Sequence, residues 1–428
     1  MNESTPPTSQ PHSPFSNISI QNISAGGEHT LLHTTNGQIL SAGACGLNWC
    51  RGKPMLPSLY GWRRVDGFPE FIKTIHASYY HNLAIGNTGT LYSWGCGTFI
   101  DGNNDGSIPA LGNGNCEDKG ALPVVVTLPV GQAVAITGGA YHSVVLNNVG
   151  TVYTFGAGQL GQLGREHSMK KIETVDGAGL PIDSEPKPVE GIDSEIETVT
   201  HIGASFYNTL ITCKSGQTFC SGENQNLQCG VANGQQNIHC MEKIQELTEV
   251  AVIKGTGGYC SNIFLDNVGQ VFTMGCGDDG NRGDGKKEEE YEINGETRPV
   301  VNKVELPCKA TDIAAGANHS LVLGEDGDVY GFGSNEYGQL GIESQNNGSG
   351  ENDDDEEDAD DCIVTPTRMI LPSNIGKIVG ISAGYAHSTI IDENGIVLVL
   401  GQNENGQLGL GLNGVNVSYL KIPTKIFQ

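Results

Sequence analysis

No apolar run in this chain approaches the roughly 20 residues that a membrane-crossing helix requires. Residues 1–19 (MNESTPPTSQPHSPFSNIS) have neither the basic start nor the apolar centre of a secretory leader, so a soluble, intracellular protein is expected. No stretch sustains a 3.6-residue apolar period, which argues against long helices. Aromatics make up only 6% of the residues while Gly reaches 61, so the fold must depend on turns and small-residue packing. The 12 cysteines contain no CxxC pair, and reduced, mostly buried thiols with no metal are expected. No Ser/His/Asp set, carboxylate dyad or Walker-type lysine stands out. Covalent catalysis and a bound cofactor are therefore not expected. Positive charge is scarce too: 23 Lys and Arg face 49 Asp and Glu, a formal charge of −26.

What the chain does have is a repeat. A small-residue pair, a histidine, a glycine eight residues on and another six after that recur around His29, His81, His142, His319 and His387, with degenerate copies around Asn208 and Ser261. The copies lie 52 to 68 residues apart and run almost from end to end. After the histidine slot the residues run apolar (Leu83-Ala84-Ile85, Val144-Val145-Leu146, Leu321-Val322-Leu323), as in a short buried strand. A turn follows at Gly89, Gly150, Gly327 and Gly395, where Gly supplies the positive φ of a two-residue hairpin turn. The next residues alternate, as in Thr151-Val152-Tyr153-Thr154-Phe155, and complete a hairpin. An apolar stretch upstream (Ala133 to Ile136) and a Pro-bearing one downstream (Pro123 to Val126) bring each copy to about four strands. Four-stranded units at this period, arranged radially, are propeller blades. The expected fold is all-β, a seven-bladed β-propeller of four-stranded blades over residues 18–428. It is expected to follow a disordered tail at 1–17 and to carry a long loop at 165–188 and a disordered acidic insertion at 343–362.

Several tempting motifs lose their meaning in this frame. Gly156-Ala157-Gly158-Gln159-Leu160-Gly161 matches GxGxxG but opens no helix, and the same slot elsewhere reads GSNEYGQLG and GQNENGQLG, so it is a repeat turn. Arg282-Gly283-Asp284 sits in another such turn. Histidines at one slot of every good unit are placed by the architecture, with hydrogen bonds to the backbone of neighbouring strands or blades as the expected satisfaction of a buried imidazole.

The units AGxxHSLxL, DGxVYxWG and GQLG resemble those of the regulator of chromosome condensation family, seven-bladed propellers whose founding member is the guanine-nucleotide exchange factor for the GTPase Ran. Trp94 to Gly106 (WGCGTFIDGNNDG) resembles the wedge that these factors insert against the GTPase. The resemblance implies GTPase contacts at Phe99, Asp101, Asn103, Asn104 and Asp105, with Tyr80, Tyr141 and Glu404 on the same face. It also implies a chromatin-contacting segment after Gly164, where Arg165, Lys170 and Lys171 form a small basic cluster. Tyr79 and Tyr141 stand where the exchange factors carry acidic residues. Unlike those factors, the chain keeps its last unit whole at the C-terminus. The ring is thus expected to close by strands near Ile18 to Ser24 meeting Ile422 to Phe427.

Charge bears on partners independently. Residues 351–361 supply nine carboxylates, and removing them still leaves about −17, which would repel a phosphate backbone. Direct DNA binding and membrane association are not expected; a Ran-like small GTPase, histones or other basic proteins are the complementary partners. Three readings stand: a Ran-type exchange factor acting by wedge insertion and stabilisation of the nucleotide-free GTPase; an interaction scaffold without exchange activity, using Tyr79, Tyr80, Tyr141, Phe206, Tyr207, Tyr259 and Tyr385 as its face; and an exchange factor for another small GTPase. The resemblance implies a nuclear protein, with the cytoplasm as the alternative, because the first residues carry no basic signal.

Overall fold

Each repeat unit folds into one four-stranded antiparallel sheet with its strands in chain order, giving seven blades. The computed structural model describes residues 18–44, 61–95, 111–113, 122–166, 182–232, 234–287, 292–293, 296–297, 299–343, 361–411 and 417–426. Blade 1 comprises Ile20–Ala25, His29–Thr34, Ile39–Gly43 and Arg63–Val65. Blades 2 to 7 follow over 72–126, 133–188, 199–243, 252–304, 310–368 and 378–425. The outer strand of blade 3 is Ile182–Pro188, so the excursion expected to run to residue 188 returns to the sheet at Ile182.

The second strand of each blade carries the histidine slot and is sandwiched between neighbouring blades, which explains its apolar run. His81–Gly86, His142–Asn147 and His387–Asp392 are buried along their whole length. Among the described residues the apolar side chains gather into seven clusters, one at each joint between blades. Leu31 and Ile39 of blade 1, for example, pack on Ile72, Ala84, Tyr92 and Trp94 of blade 2. The core is thus a ring of separate interfaces, each made by two neighbouring units.

The hairpin turns are one residue longer than expected. Gly150 N–H bonds Asn147 O and Asn147 N–H bonds Thr151 O, which leaves a three-residue loop ending in Gly150 at φ +89°. The Asn147 side chain sets this length, because its Oδ1 accepts from both Val149 N–H and Thr151 N–H. Asp266 and Asp392 do the same in blades 5 and 7.

Ring closure also differs from expectation. The N-terminal strand pairs within blade 1 and Tyr419–Lys425 within blade 7, so the chain ends do not share a sheet. Closure is by face packing instead, with Ile20, Ile23 and Leu40 against Ile391, Val397 and Leu408. The physical reason is that each unit already holds its own four strands. No blade is left short of a strand for the other end of the chain to supply.

The slot histidines reach side chains of the next blade rather than its backbone. His29 Nε2 bonds Asn82 Oδ1 at 2.6 Å, His81 bonds Ser143 Oγ at 2.7 Å and His142 bonds Thr209 Oγ1 at 3.1 Å. His319 bonds Ser388 Oγ at 3.0 Å, and His387 bonds Thr30 Oγ1 at 2.9 Å across the closing joint. At three joints the hydroxyl donates its one proton to the Gln carbonyl of the preceding blade's GQLG turn: Thr209 to Gln162, Ser388 to Gln339 and Thr30 to Gln407. It must then accept from the imidazole, which therefore carries its proton on Nε2. Between blades 4 and 5, where Asn208 occupies the histidine slot, Asn262 Nδ2 bonds Gln228 O directly. This reuse of the Gln turn confirms that the GxGxxG match is architectural.

Four cysteines depart from the reduced state expected for them. Cys220 pairs with Cys229 in blade 4 and Cys260 with Cys276 in blade 5, at Cα separations of 5.2 and 5.6 Å, within disulfide reach. Each pair joins a strand or loop to a neighbouring turn of the same blade, a proximity that spacing along the chain does not reveal. Among the described cysteines, 213, 240, 308 and 362 are free.

Candidate functional site

The first strands of all seven blades line an axial channel of about 300 Å³, bounded by segments such as Ile23 to Gly27, Ile75 to Tyr79 and Ile381 to Tyr385. Small residues dominate these strands because seven of them converge on one axis. Adding a Cβ at Gly203 would place it 1.9 Å from Gly255 O of the next blade. Within the channel Lys254 of blade 5 forms an ion pair with Asp312 of blade 6. His76 Nε2 accepts from Gly138 N–H at 3.1 Å, and burial holds this histidine down to about 4, hence neutral.

One mouth of the channel is covered by aromatic rings from the loops just ahead of the histidine slot. Tyr79 lies in the middle, its ring 4.3 Å from Tyr80, 4.8 Å from Phe206 and 5.4 Å from Tyr385, centroid to centroid. Tyr80 stacks on Tyr141 at 4.8 Å and 23°. Phe206 extends the cluster to Tyr259 at 5.4 Å, and Tyr259 to Tyr207 at 5.9 Å. Seven rings from five blades thus form one surface, mostly at edge-to-face angles, which aromatic quadrupoles favour.

The rings fit because the position two residues before the slot varies in size around the ring. Tyr79, Phe206, Tyr259 and Tyr385 occupy it in four blades, and Gly27, Ala140 and Ala317 in the other three. A Cβ on Gly27 would fall 2.7 Å from the Tyr79 ring, so Tyr79 needs glycine beneath it. Tyr259 and Tyr385 are the most open, at 48% and 38% exposure. Burial raises the Tyr141 hydroxyl well above the ordinary phenol range, and pushes Tyr207 up to about 12 with help from Tyr259 and Glu223, so both stay neutral.

Of the residues singled out from sequence, the structure brings Tyr80 and Tyr141 into contact within this cluster. Glu404 is exposed on a blade 7 turn beside Tyr337, and Glu336 and Tyr385 act on the same Tyr337 hydroxyl. Phe99, Asp101, Asn103, Asn104 and Asp105 lie outside the described residues, as do Lys170 and Lys171. The strand that leads into the wedge-like segment, Leu91–Gly95, ends with Gly95 paired opposite His81, at the rim of the aromatic mouth. Glu223, Glu336 and Tyr337 were missed from sequence. They sit in turns that varied too freely between copies to stand out.

Arg165 is not available at the surface. It is 6% exposed, its Nε bonds Asp183 Oδ2 at 3.0 Å, and its Nη1 bonds Thr154 Oγ1 at 2.6 Å. The guanidinium therefore pins the outer strand of blade 3 to the third. Asp183→Ala should destabilise the fold by about 3–5 kcal/mol, because it strands a buried cation. Arg165→Met should also lose its backbone bonds, and it leaves Asp183 with Lys187 as counter-ion. Urea midpoints of the two variants against the parent check this, with Asp183→Ala expected to be the lower. Arg282, from the Arg282-Gly283-Asp284 turn, is likewise 2% exposed and pairs with Asp284, occupying the turn position that Leu163, Leu340 and Leu408 fill elsewhere.

A ring of seven four-stranded blades, latched by a recurrent histidine and covered at one mouth by its own loops, defines a seven-bladed repeat propeller. The model of the regulator of chromosome condensation (RCC1) repeat matches residues 149–211, 268–323 and 326–391, and a second model of that repeat matches 310–339 and 378–407. The chain belongs to this family. It is 25% identical over 334 residues to the human Regulator of chromosome condensation, covering 75% of this chain and 71% of that protein. To the Arabidopsis thaliana ultraviolet-B receptor UVR8 it is 25% identical over 394 residues, covering 81% and 80%. To mouse E3 ubiquitin-protein ligase HERC2 it is 31% identical over 268 residues, covering 61% of this chain but only 5% of that protein. Among solved structures, Prp20p from Saccharomyces cerevisiae, described with its binding to Gsp1p and histones, superposes with a TM-score of 0.70 at 20% identity, covering 97% and 88%. Human WBSCR16 gives 0.66 at 17%, covering 90% and 89%. Relatives of the chain thus include a regulator of chromosome condensation, an ultraviolet-B receptor and ubiquitin-protein ligases.

Proposed function

We propose that this protein is a guanine-nucleotide exchange factor for a Ran-type small GTPase. The observation that carries this reading is positional: the blade 2 strand that precedes the wedge-like Phe99 to Asp105 segment in the chain ends at Gly95, paired opposite His81, which directly follows Tyr80 of the aromatic mouth. In this reading Asp101, Asn103, Asn104 and Asp105 press on the phosphate-binding loop and Mg²⁺ of the GTPase, while Tyr80, Tyr141 and Glu404 hold its nucleotide-free form. No covalent bond changes, and greater affinity for the empty state is the whole effect. The likeness to the regulator of chromosome condensation and to Prp20p supports the GTPase, and supports histones as a second basic partner. It likewise supports a nuclear location, with Lys170 and Lys171 toward chromatin.

The test is release of a fluorescent GDP analogue from Ran of the same organism. The protein should accelerate release, and Asp101→Ala/Asp105→Ala should lower that acceleration at least tenfold while circular dichroism stays unchanged. No acceleration by the folded parent overturns the reading for Ran and moves the assay to other small GTPases. The scaffold reading without exchange is favoured by a separate observation, the continuity of seven aromatic rings where exchange factors carry acidic loops.

A further inference from the structure

The aromatic mouth is flanked on two sides by carboxylates. On the blade 6–7 side Glu336 and Glu404, both exposed, act together with Tyr385 on the Tyr337 hydroxyl. On the opposite side Glu223, half-buried, acts on Tyr207 together with Tyr259 and Tyr80. Between them lie Tyr79, Phe206, Tyr259 and Tyr385, packed at tilted or edge-to-face angles, with Tyr259 and Tyr385 the most open to solvent. The nearby cation Lys421 is drawn away to Asp361 at 3.5 Å.

We propose that this surface is a binding site for an arginine side chain presented by a basic protein partner, the guanidinium lying on the tyrosine faces with its N–H groups toward Glu223, Glu336 or Glu404. Aromatic faces carry negative potential and attract cations, and they do so more strongly once water is excluded. A guanidinium suits the site better than an ammonium because it is planar, stacks on rings and is less strongly hydrated. A phosphate or an acidic segment is repelled by the same carboxylates and by the net charge of −26. An apolar side chain would cover the rings but strip water from carboxylates without pairing them. The inference goes beyond nucleotide exchange and does not rest on it, since its readout contains no GTPase.

The test uses the full chain and a fluorescein-labelled twelve-residue peptide with spaced arginines, beside counterparts carrying citrulline or lysine at the same places, followed by fluorescence anisotropy. Citrulline keeps the shape and loses the charge; lysine keeps the charge and loses the plane. Arginine should bind at least fivefold more tightly than lysine, and the citrulline peptide should not bind. Tyr259→Ala/Tyr385→Ala, at the two most exposed rings, should weaken binding about tenfold, in line with a desolvated cation–π contact. Glu336→Gln/Glu404→Gln should weaken it severalfold and flatten its salt dependence. A variant with the eight carboxylates of residues 351–360 made neutral, leaving Asp361 on Lys421, should bind within about threefold of the parent. Equal affinity for lysine and arginine with no effect of the tyrosine pair, or complete loss in the neutralised-run variant, overturns the proposal, because either outcome assigns binding to diffuse negative charge.

Discussion

Acidification from pH 7.5 to 5.5 should cost the folded ring roughly 7 kcal/mol if its five slot histidines titrate independently in the unfolded chain. Burial is the main cause: it holds His29 and His142 down to about 4, and His81, His319 and His387 to about 3. All five are at most 2% exposed. In the unfolded chain each returns to about 6.5, so the unfolded state takes up protons that the folded state refuses. The stability is fully present above 6.5 and is lost as pH falls toward the folded values, at about 1.4 kcal/mol per histidine per pH unit. Ordinary carboxylates titrate nearer 4, so the window between 6.5 and 5 belongs to the imidazoles. Urea midpoints at pH 7.5, 6.5 and 5.5 measure the effect, and a flat midpoint contradicts it. His142→Asn, which copies the residue that blade 4 uses naturally at Asn208, should reduce the slope by one histidine's share. For a domain with a typical 5–15 kcal/mol of stability, the parent's loss approaches unfolding.

Thr30→Val should destabilise the ring by about 3 kcal/mol although it changes side-chain volume little. Thr30 is fully buried, accepts from His387 Nε2 and donates to Gln407 O at 2.7 Å. Valine removes both functions and leaves a buried donor and a buried carbonyl unpaired, each costing about 1–3 kcal/mol. Thr30→Ser keeps the hydroxyl and should stay close to the parent apart from a lost methyl. Thr209→Val removes the matching relay from His142 to Gln162 O between blades 3 and 4. The two costs should be similar by urea denaturation. They should differ in hydrogen exchange, since blades 3 and 4 are consecutive in the chain whereas blades 7 and 1 meet only through packing and hydrogen bonds. Thr30→Val should therefore selectively speed exchange in Ile20–Ala25 and Ile378–Ala383. Uniform exchange in the two variants would show that closure is no weaker than an internal joint.

The aromatic mouth was half legible. Tyr79, Tyr80, Tyr141, Phe206, Tyr207, Tyr259 and Tyr385 share two slots of the repeat, and register alone put them on one face. Their size variation at one slot, with Gly27 and Ala140 between the large residues, becomes meaningful only when seven loops meet on an axis. The acidic flank was hidden for a related reason: Glu223 and Glu336 stand far apart in sequence, and the ring brings Glu223 beside Tyr207 and Glu336 beside Tyr337, on two sides of the mouth. Arg165 misled because a basic residue near Lys170 and Lys171 reads as surface charge. Its partner, Asp183, arrives from the other end of the excursion.

Sequence by itself determined the number of blades, their four-strand content and the burial of the histidine strand, because period, turn glycines and alternation are local and act within one unit. Tertiary structure decided how the ring closes, which hydroxyl each histidine meets, which cysteines pair and where the charges around the mouth fall. Those depend on contacts between units or across loops, and a repeat pattern records what its copies share, not which residues of different copies come to face one another.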